Sequence, residues 1–264
     1  MTVSAAAYDE RTTLARPDLA EQALEGLVRA TAYRPTRPMH GAAAVADIHA
    51  HPDPGSARID QLLAGEVFDV LDQLGDRVWG RARRDGTVGW MDLSALAECA
   101  PLATHQVGSA SAALPLNALV VALAPDEALT AVGAFADDPV AVTERLLGVP
   151  FSLGARSSLA TDCSGLVQQA LYACGRAGPR HSDQQAALGV AVDRSRAQRG
   201  DLVVWLSGPE EHGCTGHSAF MLDADHVIHA TAHHGAVVIE DLGQAEARYR
   251  DGGFAPPQFR RLAP

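Results

Sequence analysis

The stretch TDCSGLVQQALYACG, residues 161–175, limits the fold more than any other part of the chain. An acid, a thiol and a hydroxyl run straight into an apolar-periodic segment that stops at a glycine. Leu166, Val167, Ala170, Leu171 and Cys174 recur at helical spacing and predict a buried stripe. Gly175 suits the position just past a helix end. The fold must therefore bury this helix while Cys163 sits in its first turn. A helix N-terminus carries partial positive charge, and cysteine pKa values in such places fall from about 8.5 towards roughly 3.5–7.5. Backbone N–H groups at the same end can receive an oxyanion. One local geometry thus offers a nucleophile and part of its transition-state stabilisation.

The rest of the chain must pack that helix. Its 264 residues suit one large or two to three small domains, and its 47% hydrophobic content is ordinary for a core-forming protein. The net charge of −11 argues against nucleic acid, which needs a basic face, and otherwise mostly promotes solubility. All 21 basic residues are arginines, which removes Schiff-base lysines and a phosphate-loop lysine from consideration. The opening MTVSAAAYDERTTLARPDLAEQ has no basic segment leading into an apolar core, so no secretory signal is expected. No run of about 18 apolar residues is available to span a membrane, and NALVVALA (117–124) reads as a buried strand. Cys99, Cys163, Cys174 and Cys214 are sparse and irregularly spaced, unlike a disulfide framework. On one helix Cys163 and Cys174 would lie about 16 Å apart along the axis, beyond disulfide reach. The reducing cytoplasm is the expected setting.

Four regions follow along the chain. Residues 1–40 form an arm, with an amphipathic helix expected near Asp18 because leucines 19, 24 and 27 recur at near-helical spacing. Residues 41–98 change to short apolar runs separated by Pro, Gly and Asp; EVFDVLDQ and RVWGRARRDGTVGWM read as strands, with a hairpin turn at RRDG. This spacing suggests a small barrel, with Trp79 and Trp90 in its core. Residues 99–140 are Ala- and Leu-rich and weakly patterned, compatible with a second, degenerate barrel. From 141 to 264, helix and strand signals alternate as in an α+β domain.

A thiol nucleophile needs a base, and CTGHSAFMLDADHVIHATA (214–232) supplies candidates on a strand, an acidic turn and a second strand. With a three-residue loop at Asp223–Asp225, Leu222 opposes His226 and Ala219 opposes His229. His217 is then the diagonal neighbour of His229 on the same face, roughly 7–8 Å away at the β-carbons. One imidazole can face the thiol while the other fixes its tautomer. A two-residue loop would put the rings on opposite faces.

DCSGLVQQAL, RGDLVVW (199–205), GHSAFML and HVIHA resemble, in that order, the motifs of the NlpC-type cell-wall cysteine peptidases. VWGRARRDGTVGWMDLSAL resembles the bacterial SH3-like barrel that often precedes that domain. The resemblance implies a papain-like fold behind one or two SH3-like barrels, with no cofactor. It also implies cleavage of the γ-D-glutamyl–diamino-acid bond in peptidoglycan stem peptides. By the same resemblance Cys163 is the nucleophile, His217 the base and His229 its orienter. Asp162 and Ser164 would line the adjacent subsite, and the acid before the cysteine would help hold a free L-Ala amine, as a carboxylate suits an ammonium. Arg180 is a candidate partner for substrate carboxylates. Released peptides and cytoplasmic recycling of wall fragments follow as expectations. The chain departs from the family's pattern where PFSLGARS replaces PYxWGGRS, so Phe151 lacks a hydroxyl and Leu153 stands for a tryptophan, and where Thr87 replaces a barrel tyrosine.

Other readings compete. His212, Cys214, His217 and Cys163 sketch a zinc set, but structural zinc usually draws paired ligands at both ends. AHH (232–234) reads as an exposed turn, and Ser182 with Gln185 as a capping box. The alternative function is a stem-peptide binding module that keeps the fold without efficient turnover, motivated by Phe151, Leu153 and Thr87. Acyl transfer on lipids would require an apolar groove or anchor that the sequence does not show.

Overall fold

The computed structural model describes residues 8–98, 102–109, 114–124, 126–208 and 215–262. Seven antiparallel strands form the first sheet, in spatial order Leu96–Ala97, Arg37–Gly41, Val67–Leu74, Arg77–Ala82, Val88–Asp92, Val45–His49 and Arg58–Leu63. Met39, Ile48, Leu62, Phe68, Val78 and Met91 fill its interior. The hairpin turn at RRDG is present, with Gly86 at φ +88°. The barrel begins at Arg37, inside the segment assigned to the arm.

The arm itself overturns two expectations. Ala15–Arg16 runs antiparallel to Leu19–Glu21 around Pro17 and Asp18, and only a 3₁₀ turn at Gln22–Leu24 follows in place of an α-helix. The leucines do not share a face: Leu19 is buried whereas Leu27 is 78% exposed. Leu14 and Leu19 instead dock on Leu71 and Trp79, and Trp90 packs against the same cluster. The two tryptophans thus seal the arm against the outside of the barrel rather than filling its core, and Arg16 lies over both rings. Burial of those apolar side chains overrides a weak local helix preference.

Between barrel and C-terminal domain, His105–Val107 pairs with Leu119–Val120 and Leu129–Ala131. Among the described residues this is a three-stranded sheet, not a closed barrel. NALVVALA contributes only the half-buried pair Leu119–Val120, and Leu123 is fully outside. The segment acts as a wedge. Leu119 N–H donates to Ala64 of the barrel, and Asn117, at a left-handed φ of +67°, donates through its amide to Gln169.

The last region is α+β. Its antiparallel sheet has the spatial order Val190–Val192, Gln258–Arg261, Leu202–Leu206, Gly216–Met221, His226–Thr231 and Ala236–Asp241. Helices α1 (Pro139–Glu144) and α2 (Cys163–Ala173) cover one face through Val140, Leu166, Val167, Leu171, Phe220 and Ile228. Past the one-turn α3 (Ser182–Gln185), α4 (Leu242–Asp251) covers the other face through Leu242, Ala245 and Tyr249. All residues of α2 from Ser164 to Ala173 are buried, more than the single predicted stripe. Gly175 takes φ +70°, and Gly175 and Arg176 N–H close the helix end on Tyr172 and Leu171 carbonyls.

Candidate active site

Cys163 opens α2. Asp162 caps the helix, its Oδ1 accepting from Gly165 N–H at 2.8 Å. Gly165 is required by close approach, since a β-carbon there would sit 2.4 Å from the Ala155 carbonyl oxygen. The half-buried thiol places its Sγ 4.0 Å from Ser182 Oγ at the start of α3. It lines a cleft of about 110 Å³ together with Arg58, Ile59, Leu153, His181 and Gly216. One wall of this cleft therefore belongs to the barrel strand Arg58–Leu63, and the other to the α+β domain.

The hairpin register is the one the acidic turn predicts. Phe220 opposes Ile228 and Met221 opposes Val227, which sets Leu222 against His226 and Ala219 against His229. His217 Nε2 lies 2.9 Å from His229 Nδ1, with the rings edge-on at 86°. Tyr249 of α4 stacks on His217 at 4.3 Å. Burial raises the Tyr249 phenol pKa, and the Thr231 hydrogen bond opposes it. His217 also follows directly on Gly216 of the cleft wall.

Both imidazoles are held neutral. Burial pushes His217 well below the usual histidine range, aided by His229 and Arg248 and opposed by Glu240. Burial also lowers His229, against the pull of Glu240. His229 Nε2 stands 3.0 Å from Glu240 Oε2, in contact with the carboxylate though bent away from good hydrogen-bond geometry. Burial disfavours the Glu240 anion, but two hydrogen bonds from Arg248 and contact with His229 keep its pKa well below the carboxylate range.

Asp162, Ser164 and Arg180 do line the thiol end of the cleft, but they face one another. The Asp162 carboxylate accepts from Gly154 N–H, Gly165 N–H, the Ser164 hydroxyl and both terminal nitrogens of Arg180. A carboxylate has about four lone-pair sites, so this one is filled. Arg180 is 3% exposed and also sits 2.9 Å from Asp60 of the barrel. These groups therefore build the wall rather than present free charges to a ligand. Arg156, wholly buried, ties Asp60 and Glu66 to the loop before Cys163, so ion pairs cross between the two domains. Glu66 is driven to about 2, its burial outweighed by Arg156 and Arg84. Asp60 is pushed up to about 8 by burial and by Asp85, despite its two arginines.

Thr87 is buried in the barrel hairpin and is not part of the cleft lining. The Phe151 ring packs on the main core, while Leu153 is 59% exposed at the cleft. His181, not Ser182, precedes α3, and the reciprocal cap runs from its N–H to the Gln184 side chain. Burial and Arg180 hold the His181 imidazole down at about 4, hence uncharged. AHH forms the expected exposed turn, with His234 Nε2 3.5 Å from Glu240. Cys99, His212 and Cys214 lie outside the described residues, and His217 Nε2 is occupied by His229. Sequence reasoning missed Arg58, His181, Glu240, Arg248 and Tyr249. The one available signal was cross-strand: His229 opposes Val238, which makes Glu240 its diagonal neighbour on the same face.

A buried helix presenting a thiol at its mouth, packed on an antiparallel sheet that carries paired imidazoles, defines a papain-like α+β fold. Residues 148–251 match the NlpC/P60 family and residues 48–96 match the bacterial dipeptidyl-peptidase Sh3 domain. The chain accordingly carries an NlpC/P60 domain behind a bacterial SH3 domain. The crystal structure of an NlpC/P60 family protein from Bacillus cereus ATCC 10987 superposes with a TM-score of 0.69 at 19% identity, covering 86% of this chain and 100% of that one. A gamma-D-glutamyl-L-lysine dipeptidyl-peptidase of Bacillus cereus is 32% identical over 95 residues, 36% of this chain and 28% of the relative. A probable endopeptidase of Corynebacterium glutamicum is 40% identical over 85 residues, 32% of this chain and 37% of the relative. The chain thus matches well under half the length of either relative.

Proposed function

We propose that this chain is a cysteine peptidase that hydrolyses the γ-D-glutamyl–diamino-acid bond of peptidoglycan stem peptides. The observation that carries the reading is the His217–His229 ring pair, held by a strand whose first residue, Gly216, lines the cleft with Cys163. His217, neutral, takes the thiol proton, and the thiolate attacks the γ-carbonyl under the field of the α2 N-terminus. The imidazolium returns the proton to the departing amine, leaving a thioester on Cys163. Water, deprotonated by the same ring, then cleaves the thioester and frees the enzyme. The relative named as a gamma-D-glutamyl-L-lysine dipeptidyl-peptidase supports the choice of bond.

The barrel wall at Arg58 and Ile59 favours short, released peptides over stems still bound to glycan, in keeping with recycling of wall fragments in the cytoplasm. With Asp162 filled by five donors, acylating the L-Ala amine reduces cleavage by less than about tenfold, since no free carboxylate lone pair waits for an ammonium. Mass spectrometry on L-Ala-γ-D-Glu-diaminopimelate, its L-lysine counterpart and an N-acylated form tests this. The wild type releases a dipeptide and Cys163→Ala does not. No release from any peptide overturns the reading, and tight binding without release favours a binding module.

A further inference from the structure

We propose that Glu240 is a positioning residue that selects the tautomers of both imidazoles and so leaves Nδ1 of His217 bare as the base. The inference rests on the thiol-peptidase reading and extends it to a residue outside the Cys–His–His set.

Two neutral imidazoles share two protons among four nitrogens. His229 stands between partners: Nδ1 is 2.9 Å from His217 Nε2, and Nε2 is 3.0 Å from Glu240 Oε2. A carboxylate accepts and cannot donate. With the His229 proton on Nε2, that N–H faces Glu240 and Nδ1 offers a lone pair. His217 must then carry its own proton on Nε2, donating to His229, and its Nδ1 is free to accept the thiol proton. In the reverse arrangement a bare Nε2 faces the anion, and His217 holds its proton on Nδ1, where it cannot serve as a base. The carboxylate thus decides between a working and a dead tautomer from one residue further back. Arg248 bonds both of its oxygens at 2.5 Å and offsets its charge, and the exposed His234 lies 3.5 Å away. Among the described residues, Arg248, His229 and His234 are the charged or titratable side chains against Glu240, with His217 and Tyr249 one layer beyond.

The test pairs two variants of the full chain. Glu240→Gln, whose amide can face His229 with either end, lowers kcat/KM by about 10²-fold, the order seen when a hydrogen-bonded partner of a catalytic or metal-bound histidine is lost. Its acid limb moves to lower pH, because the anion that favoured the imidazolium is gone and Arg248 remains. Arg248→Gln keeps the tautomers and moves the acid limb to higher pH, since the anion now acts unopposed. A merely structural role would reduce activity in both variants without opposite shifts. Spectra of 15N-histidine-labelled protein read the tautomers without any turnover: pyridine-type Nδ1 on both rings in the wild type and in Arg248→Gln, mixed in Glu240→Gln. Unchanged tautomers in Glu240→Gln, with kcat/KM within about twofold of wild type, overturn the proposal. Because the spectra do not depend on substrate, a failure of the peptidase reading leaves this result standing and is told apart from it.

Discussion

Each half of the candidate site ends in a carboxylate held by an arginine, yet the two pairs are built for different work. Asp162 beside the thiol and Glu240 beside the imidazoles both take two bonds from a guanidinium. Arg180 is 3% exposed and shared with Asp60 of the barrel, so the thiol half is fixed across a domain boundary. Arg248 is 25% exposed on its side chain and comes from a helix of the same domain, eight residues along the chain from Glu240. The first pair sets where the helix mouth lies against the barrel. The second sets where protons lie. A domain that lost its barrel would keep its relay and lose the wall beside its nucleophile.

The sharpest way to break this comparison is to remove each arginine. Arg180→Met strands Asp162 and leaves Asp60 with Arg156 alone. Breaking a buried pair by deleting one partner costs about 3–5 kcal/mol. A urea titration should show that loss, and a cost under about 1 kcal/mol would mean the thiol half is not held this way. Arg248→Ala, at a partly exposed site, should cost only about 1 kcal/mol or less, with its main effect on the pH profile. Equal losses in the two variants would erase the distinction drawn here.

The halves also carry opposite pH signatures. Asp60 has a folded pKa raised to about 8, above its unfolded value, so the folded state binds more protons between the two. Stability from that group is greatest at low pH and is lost as pH rises through about 8. His217 and His229 are lowered, so the unfolded chain binds more protons below its ordinary histidine pKa, and stability falls as the solution is acidified through that value. Melting temperature should therefore peak near neutrality. Asp60→Asn should flatten the alkaline side by a few degrees and steepen the rise between the unfolded carboxylate pKa and neutrality, where Asp60 opposes the histidines, roughly 2–4 °C per kcal/mol for a chain of this size. An alkaline side that stays steep in this variant would assign it to another group.

Much of this is legible in the sequence alone. The helix from Cys163 to Gly175 carries its own start, stripe and stop, and the Asp223–Asp225 turn fixed the register that brings His217 and His229 together. These are local signals, set by neighbours a few residues away. What sequence missed is relational. Glu240 joins the relay only because a second hairpin lays Ala236–Asp241 beside His226–Thr231. Arg58 and Asp60 reach the thiol only because the barrel docks there. Asp162 read as a free ligand for an ammonium because nothing in the chain order shows Arg180 folding back onto it. The arm misled for the opposite reason: spaced leucines suggest a helix, but Trp79 and Trp90 offer a surface that rewards alternation instead.

The smallest expected effect concerns that arm. Arg11 bridges Asp9 and Asp183, and its pair with Asp183 is about a third exposed on both sides, 36% and 35%. Exposed pairs contribute roughly 0–1 kcal/mol, so Arg11→Ala should move the melting temperature by about 2 °C or less. Position gives the contact more consequence than its strength does. Asp183 is the second residue of α3, a helix of one turn whose first residue, Ser182, touches the thiol and whose preceding residue, His181, lines the cleft. Asp183 N–H also lies 3.4 Å from Thr215 Oγ1 on the opposite rim. Loosening this end should blur the substrate wall while leaving the Cys163, His217 and His229 set intact. Steady-state kinetics should then show KM rising about two- to threefold at constant kcat, the pattern of lost uniform binding. A fall in kcat at unchanged KM would instead tie the arm to the chemistry, and would join it to the thiol half of the comparison.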